Sequence, residues 1–404
     1  MKDRVIGNLI KKETVRQEET LDLIPSENIV SQGVRDALGS VFTNKYAEGY
    51  PGRRYYAGNE VVDEVEQLCR ERALRAFRLS PKKWHVNVQP YSGSPANLAV
   101  YAGLVPLGEK IMGMQLDMGG HLTHGHKVSF TGNAWKQVPY GVNKSTEMLD
   151  YAQLANLAIQ EQPKLIVAGF TAYPRKIDFG ALRKIADTVH AYFMVDMSHF
   201  AGLVAGRAIP SPFPYADIVT TTTHKTLRGP RGAMIFCKSD LAKAIDKAVF
   251  PGFQGGPHVN QIAGTAVALE EAAQPAFRDY AKQVVQNARV LAKELQYLGW
   301  RIVSGGTDTH LLLIDTFARG IPGGEASTLL EKNGIIVNKN TIPFDTRSPM
   351  DPSGIRMGTP TLTTRGMKEK EMVRVAHMIH GVIVEHKNVK NEIRALCKKF
   401  PVKG

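Results

Sequence analysis

The sequence contains no run of apolar residues long enough to cross a bilayer as a helix. It holds only three cysteines, Cys69, Cys237 and Cys397, whose wide separation matches neither a zinc site nor a dense disulfide framework. Repeats and low-complexity tracts are also lacking. Residues 1–4 lead into polar sequence and do not resemble a secretory signal. We therefore expect a cytoplasmic protein with reduced thiols, no bound metal and no membrane segment.

Negative charge is in deficit, because 51 lysines and arginines face 38 aspartates and glutamates, a formal net charge of +13. Part of the excess lies in residues 366–404. Such a charge favours either a nucleic-acid surface or an anionic small-molecule substrate. No zinc finger, RNA-binding signature or aromatic–basic pattern accompanies it, so we do not expect nucleic acid as a partner.

Short apolar runs alternate with helical patterns from about residue 85 onward. The pattern predicts strands at 85–89, 110–114, 165–170, 192–196, 217–223 and 233–237, and helices at 94–105, 149–160 and 181–190. It indicates an α/β protein with a mostly parallel sheet covered on both faces. Ligands of such sheets bind beyond the carboxyl ends of the strands.

The remaining sequence predicts flanking elements and a division into three parts. We expect helices at 1–21, 60–78, from about Gly264, at 280–298 and at 368–398, a loop-like segment at 25–58, and strands at 301–304 and 310–315. The parts are an N-terminal arm helix at 1–25, a large domain at 26–275 and a smaller α+β domain at 276–404.

The most informative segment is a run of four threonines followed by His224, Lys225 and a Gly-Pro-Arg-Gly turn. Threonine favours an extended strand. A lysine held at the end of a strand can be desolvated, and its amine then becomes a nucleophile for a carbonyl. Enzymes that use pyridoxal 5'-phosphate (PLP) need such a lysine. An isolated His-Lys pair is more often an ordinary surface pair.

A second motif, Ser92-Gly93-Ser94-Pro95, directly follows a predicted strand. Ser94 is a good N-cap, and Pro95 suits the first helical position. The free N–H groups and the macrodipole of a helix N-terminus attract phosphate. Taken alone, the motif is more often simply the start of a capped helix.

Asp196 closes a predicted apolar strand, where an unpaired carboxylate would be costly. The protonated pyridine nitrogen of PLP is a suitable cationic partner, since an acid there keeps the ring an electron sink. An aspartate that caps the next loop would have the same sequence pattern.

Three further motifs fit the same cofactor, and each also has an ordinary reading. The glycine-rich loop with His121 and His124 lacks a third metal ligand, so His121 suits stacking or acid–base work on a flat ring, or is merely exposed. The glycines of residues 250–257 let N–H groups approach an anion, or form a turn. Arg356, framed by glycines, fits bidentate carboxylate recognition, or lies on the surface.

Six segments together resemble the serine hydroxymethyltransferase family. They are residues 23–28 (LIPSEN), 44–58 (NKYAEGYPGRRYYAG), 119–125 (GGHLTHG), 220–225 (TTTTHK), 250–257 (FPGFQGGP) and 337–340 (VNKN). The resemblance extends from about residue 5 to 375. It implies a fold-type-I PLP enzyme that acts as a homodimer with active sites built from both subunits. It also implies transfer of the hydroxymethyl carbon of serine to tetrahydrofolate, giving glycine and methylenetetrahydrofolate.

The resemblance also implies a role for each matching residue. Lys225 would hold the cofactor covalently, with Asp196 at the ring nitrogen, His121 stacked on the ring and His199 near the ring hydroxyl. The phosphate would contact Ser92, Gly93, Ser94 and His224, with Tyr46 and Gly256 from the other subunit. Arg356, Ser26 and Tyr56 would bind the substrate carboxylate, and Glu48 would be the acid–base group. Tyr55, Leu116, Leu122 and Asn340 would contact folate, and Arg231 would support the site.

Two positions depart from the family's pattern, and two other functions stay open. Tyr91 stands where many members have histidine, and Phe344 where asparagine or tyrosine is common. A folate-independent aldolase for β-hydroxy amino acids such as threonine would use the same PLP chemistry. A basic RNA-binding or scaffold protein could keep the fold and would bind RNA in a salt-sensitive way.

Overall fold

A computed structural model describes residues 2–402. Its contacts divide the chain into two compact units. The central unit is Val30–Lys282, and the terminal unit combines the residues up to Ile29 with those from Gln283 onward. The expected division into parts at 1–25, 26–275 and 276–404 stays a prediction about folding domains.

Helices occur along the whole of residues 2–402. In chain order they are α1 Arg4–Glu19, α2 Gln32–Leu38, α3 Glu60–Ala76, α4 Gly93–Leu104, α5 Phe130–Ala134, α6 Tyr151–Glu161, α7 Phe179–Thr188, α8 Ala201–Ala205, α9 Ala242–Lys247, α10 Val259–Ala272, α11 Pro275–Tyr297, α12 Gly323–Lys332, α13 Pro360–Thr364, α14 Glu369–Ile383 and α15 Lys390–Lys399.

The β-strands of the same residues form four sheets. They are β1 Leu21–Asp22, β2 Gly49–Tyr50, β3 Arg53–Arg54, β4 Trp84–Asn87, β5 Lys110–Met114, β6 Lys136–Tyr140, β7 Leu165–Ala168, β8 Tyr192–Asp196, β9 Ile218–Thr222, β10 Ala233–Lys238, β11 Arg301–Ile302, β12 Leu311–Asp315, β13 Ile335–Ile336, β14 Asn338–Asn340 and β15 Gly354–Gly358.

The central unit is built on a seven-stranded sheet in the order β4-β10-β9-β8-β7-β5-β6. Only β10 runs antiparallel to its neighbours, so the carboxyl ends of the other strands lie along one edge. Strands β7 and β9 are buried along their whole length. Helices cover such strands on both faces, which is why their sequences do not alternate with polar residues. The predicted α/β class with a mostly parallel sheet is confirmed.

The terminal unit has a four-stranded antiparallel sheet in the order β11-β12-β15-β14 and a short parallel pair, β1 with β13. Its core packs one face of that sheet against α11, α12 and α14, with Leu291, Leu312, Leu330, Ile355 and Ile379 fully or almost fully buried. This unit therefore has an apolar core of its own.

Several predicted bounds are wrong. The final helix, expected over 368–398, is interrupted between α14 and α15, where His386 has a φ of 55° and the N–H of Lys387 donates to the carbonyl of Gly381 at 2.9 Å. This left-handed residue ends the helical ladder. Helix α10 begins at Val259, before the expected Gly264, and the loop-like segment 25–58 contains α2.

The structure also bears on the cysteines, on membrane-spanning helices and on metal ligands. All three cysteines are buried and unpaired. No helix of residues 2–402 has the length and apolar character needed to span a membrane. The same residues contain no group of three potential metal ligands drawn from histidine, cysteine, aspartate and glutamate.

Candidate active site

Most of the residues singled out from the sequence follow the carboxyl ends of adjacent strands in the central sheet. Asp196 is the last residue of β8, and Lys225 comes shortly after the end of β9. Strands β8 and β9 pair in parallel, with Asp196 opposite Thr220. The chain therefore brings a lysine and a carboxylate to the edge at which parallel sheets bind ligands.

Lys225 lies in a turn that hydrogen bonds fix to the strand before it. Its Nζ donates to Thr222 Oγ1 at 2.8 Å, and its carbonyl accepts from the N–H of Arg228 at 3.1 Å. Arg228 has a φ of 59°, and its guanidinium lies 4.4 Å from the centroid of the Tyr280 ring. The amine is thus held at the strand end rather than extended into solvent.

The segment after Asp196 is tied to the lysine turn. Thr226 Oγ1 donates to the carbonyl of His199 at 2.9 Å and accepts from the N–H of Gly202 at 3.0 Å. His199 is buried. These bonds place His199 close in space to the residue that follows Lys225.

Asp196 is buried and accepts several hydrogen bonds. Ser198 donates to Oδ1 from its N–H at 3.0 Å and from its hydroxyl at 2.5 Å. Asn97 Nδ2 lies 2.9 Å, and His124 Nε2 3.3 Å, from Oδ2. Burial alone would raise the pKa of Asp196, but the hydrogen bond and electrostatic attraction from His124, with further donation from Asn97, outweigh it and hold the pKa well below its usual range. The carboxylate is therefore ionised at neutral pH.

His121 is linked to this network through Thr123. The hydroxyl of Thr123 accepts from Asn97 Nδ2 at 2.9 Å and lies 2.7 Å from His121 Nδ1, which also accepts from the N–H of Thr123 at 3.2 Å. Burial lowers the pKa of His121 to about 4. The imidazole is therefore neutral, with its proton assigned to Nε2 by these bonds.

Sequence reasoning missed the residues that hold Asp196. Asn97 bridges it to Thr220, whose hydroxyl donates to Asn97 Oδ1 at 2.8 Å. Asn97 lies inside a helix pattern, and only the tertiary fold brings it to the strand. His124 was visible in its glycine-rich loop, but its contact with Asp196 had no signal in the sequence.

Helix α4 begins over the same strand edge. Its N-cap is Ser92 and its first residue Gly93, so the prediction of Ser94 as N-cap and Pro95 as first residue is wrong. The hydroxyl of Ser92 makes no capping hydrogen bond, and Ser94 is exposed. A Cβ on Gly93 would lie 2.8 Å from Thr222 Cγ2, so only glycine fits there. Unused donors at the N-terminus of a twelve-residue helix suit a phosphate group.

His224 supports this fit to PLP. Its Nδ1 is buried and has no hydrogen-bond partner among residues 2–402. Burial, together with the charges of Lys225 and Arg231, lowers its pKa to about 3. A neutral imidazole beside the lysine, with one ring nitrogen unused, can bond to a bound polar group.

A second cluster of predicted residues lies in the central unit. Tyr46 Oη donates to Glu48 Oε1 at 3.2 Å, and this bond raises the pKa of Tyr46. The Tyr46 ring lies edge-on to Tyr56 at 4.8 Å and packs against Gly256, where an added Cβ would be 3.5 Å from the ring. Both tyrosines are about half exposed, Tyr46 at 53% and Tyr56 at 47%. The cluster therefore places a carboxyl group and two accessible tyrosines beside the Gly255–Gly256 turn.

The residues expected to contact folate are partly exposed. Tyr55 is 77% exposed, lies edge-on to Phe250 at 5.8 Å, and lines a cavity of about 720 Å³. Leu116 begins the turn after β5, and Leu122 is 43% exposed in the loop with His121. Apolar side chains left accessible in this way suit a flat ring system.

The terminal unit holds the other predicted residues. Arg356 lies on β15, is 7% exposed, and donates from Nε to Asn338 Oδ1 at 3.2 Å. Burial lowers its pKa to about 10. Asn340 pairs with Gly354 on the next strand, and the segment leading to Ser26 is joined to β15 by a 2.7 Å bond from Gly358 N–H to the carbonyl of Leu23. A buried guanidinium of this kind favours a carboxylate as its ligand.

Known proteins resemble the whole chain. The family profile described as serine hydroxymethyltransferase matches residues 1–379. A protein of Acidobacterium capsulatum named serine hydroxymethyltransferase is 55% identical over 409 residues, which cover 100% of this chain and 95% of that protein. One of Koribacter versatilis with the same name is 55% identical over 407 residues, covering 99% and 94%. These findings confirm the resemblance inferred from the motifs, and they do not favour a folate-independent aldolase.

Proposed function

Because the chain belongs to the serine hydroxymethyltransferase family, we propose that Lys225, Asp196 and Arg356 are the central residues of its active site. The enzyme transfers the hydroxymethyl group of serine to tetrahydrofolate, giving glycine and 5,10-methylenetetrahydrofolate, and its cofactor is PLP. The observation that supports the residue assignment best is the parallel pairing of β8 with β9, which puts an ionised carboxylate and a lysine at one strand edge.

Bound PLP supplies an electron sink at the substrate α-carbon. Lys225 would hold the cofactor covalently through its amine. Asp196, kept ionised by its donors, would hold a proton on the ring nitrogen. His121, kept neutral by burial, would stack on the ring without adding positive charge. His199 would lie near the ring hydroxyl.

The phosphate is bound by unused donors. Ser92, Gly93 and Ser94 present the N-terminus of α4 to it, and His224 offers its unpaired ring nitrogen. Tyr46 and Gly256 complete the site from the other subunit of a homodimer. The exposure of Tyr46 and Tyr56 fits such a contribution, since exposed aromatic residues favour contact with a partner.

The remaining residues bind the substrates. Arg356 binds the serine carboxylate with help from Ser26 and Tyr56, and Glu48 moves a proton at the serine hydroxyl and the folate. Tyr55, Leu116, Leu122 and Asn340 line the folate, and Arg231 supports the site. Each side chain positions a reacting group or holds a proton, which is the share of the catalysis that the protein supplies.

Lys225→Ala tests the assignment of the lysine. The variant should lose the visible absorbance of the lysine-bound cofactor and lower kcat by about 10³-fold or more, because no other amine occupies that position. Lys136→Ala, on an exposed position of β6, is the matched control. A yellow Lys225→Ala protein with normal turnover would rule the assignment out.

Arg356→Lys tests carboxylate binding while it keeps the charge. It should raise the KM for serine by about 10-fold or more, because a lysine cannot reproduce the bidentate geometry, and should leave PLP affinity unchanged. An equal loss of PLP affinity would argue that Arg356 supports the fold instead.

A further inference from the structure

Tyr91 contacts the turn at residues 254–258 at three points. It lies directly before Ser92 and is half-buried. Its N–H donates to Gln254 Oε1 at 3.0 Å, and its hydroxyl donates to the carbonyl of Gly256 at 2.7 Å. Its ring is stacked on His258, with centroids 4.3 Å apart and planes at 9°. One residue thus holds the turn before, at and after Gly256.

The start of the turn is also fixed to the strand that leads to Tyr91. Gln254 is buried, and its Nε2 donates to the carbonyl of Gln89 at 2.9 Å. The side-chain amide of Gln254 therefore accepts a hydrogen bond from Tyr91 and donates one to Gln89, so it bridges the turn to the segment that contains both residues. The turn cannot shift away from the beginning of α4 without breaking these bonds.

The hydroxyl of Tyr91 determines which atoms of the turn remain available. It occupies the carbonyl of Gly256, and the next residue, Pro257, has no N–H. The N–H of Gly256 donates to no backbone carbonyl among residues 2–402. With its carbonyl bound on the Tyr91 side, Gly256 presents a donor to an anion and keeps an electronegative oxygen away from it.

We propose that Tyr91 is a positioning residue that orients the Gly255–Gly256 backbone for the cofactor phosphate. The inference rests on the proposed function, in which Gly256 and Ser92–Ser94 bind that phosphate. Tyr91 touches neither substrate nor cofactor in this role. In the proposed dimer, Tyr91 connects two phosphate-binding segments of the same chain. One is the N-terminus of α4, which binds the phosphate in the chain's own site, and the other is the Gly255–Gly256 turn, which binds the phosphate in the site of the neighbouring subunit.

Tyr91→Phe removes the hydroxyl and keeps the ring that stacks on His258. Apoprotein of the variant is titrated with PLP and with pyridoxal, which lacks the phosphate, and binding is followed by absorbance. We expect PLP to bind about threefold to tenfold more weakly, the range for one lost hydrogen bond, and pyridoxal to bind as before. Tyr297→Phe, at a tyrosine that is 83% exposed, is the control.

Amide hydrogen exchange of the apoprotein gives a readout that does not depend on the cofactor. Peptides covering residues 253–259 should exchange several-fold faster in Tyr91→Phe than in wild type, because the turn loses a tether. His258→Leu removes the stack but keeps the hydroxyl, so it should speed exchange less.

Two results would overturn the inference. One is unchanged exchange at 253–259 with unchanged PLP affinity in Tyr91→Phe. The other is an equal loss of affinity for PLP and pyridoxal, which would indicate a general structural role. A wild-type protein that binds both vitamers equally would instead count against the phosphate assignment itself, and the exchange data would still decide whether Tyr91 holds the turn.

Discussion

Asp196 and His121 are both removed from solvent, yet Asp196 remains charged whereas His121 is neutral. The carboxylate keeps its charge because donors surround it, and the imidazole loses its charge because burial disfavours its protonated form. Asn97 connects the two through Thr123. The proposed site therefore depends on a residue that is not one of the predicted site residues.

Asn97→Ala should destabilise the protein by about 1–3 kcal/mol, because Thr123 and Thr220 lose a buried partner and Asp196 loses a donor. Chemical denaturation of the apoprotein measures the loss, and the pH dependence of the cofactor spectrum reports the change at Asp196. Asn133→Ala, at an exposed asparagine, should be nearly neutral. Equal stability of the two variants would contradict the prediction.

His121 predicts a pH dependence of stability. Its pKa is lowered by burial from 6.5 to about 4, so between these values the unfolded chain binds a proton that the folded chain does not. The contribution of His121 to the free energy of unfolding is therefore fully present above pH 6.5. It is lost progressively as the pH falls toward 4.

His121→Gln should show a smaller decrease in the denaturation midpoint of the apoprotein over that pH range than wild type. His190→Asn, at an exposed histidine with a φ of 53°, should decline as wild type does. If His121→Gln and wild type decline in parallel, His121 does not titrate as described.

At the scale of elements, the close approach of α8 to the lysine turn decides the geometry. A Cβ on Gly202 would lie 2.1 Å from the carbonyl oxygen of Thr226, a contact with backbone that cannot be relieved by a rotamer change. Gly202→Ala should destabilise the protein by about 3 kcal/mol and weaken PLP binding, because residue 226 follows Lys225.

Thermal or chemical denaturation of Gly202→Ala checks this prediction. Gly39→Ala is the control, since its nearest contact would be an ordinary 3.6 Å. A stable Gly202→Ala protein with normal cofactor affinity would show that the turn tolerates displacement.

Elements with a single dominant signal could be predicted from the sequence. Strands β5 and β8 match their predicted bounds, because each has an apolar run bounded by a charged residue at one end. Strand β6 was missed because it is not a continuous apolar run: it begins with Lys136 and Gln137 and contains Pro139. Proline and polar residues are tolerated there because β6 is an edge strand of the sheet. The break between α14 and α15 was missed because charged residues continue through it.

The candidate site could be predicted where a residue type is itself the signal, as for Lys225, Asp196 and Arg356. The residues around them could not be found in this way. His124 and Asn97 act on Asp196 through contacts that only the fold creates. No spacing in the sequence encodes these distances.

At the scale of the whole molecule, each unit has its own apolar core, and the predicted cofactor residues belong to the central one. Addition of PLP to the apoprotein should therefore slow amide exchange most in peptides covering residues 92–97, 196–202 and 220–232. Strand β12 and helix α14 should change least. Hydrogen exchange with mass spectrometry measures both, and uniform protection across all peptides would contradict the expectation.

The buried cysteines have a practical consequence. Cys69 and Cys237 lie in the central unit and Cys397 in the terminal one, and burial raises the pKa of each thiol. A thiol reagent attacks only when the sulfur becomes accessible as thiolate. The cysteines of the chain can therefore serve as probes of local unfolding without any engineered substitution. The labelling rate of Cys237 would measure how often the central unit opens, and that of Cys397 how often the terminal unit opens.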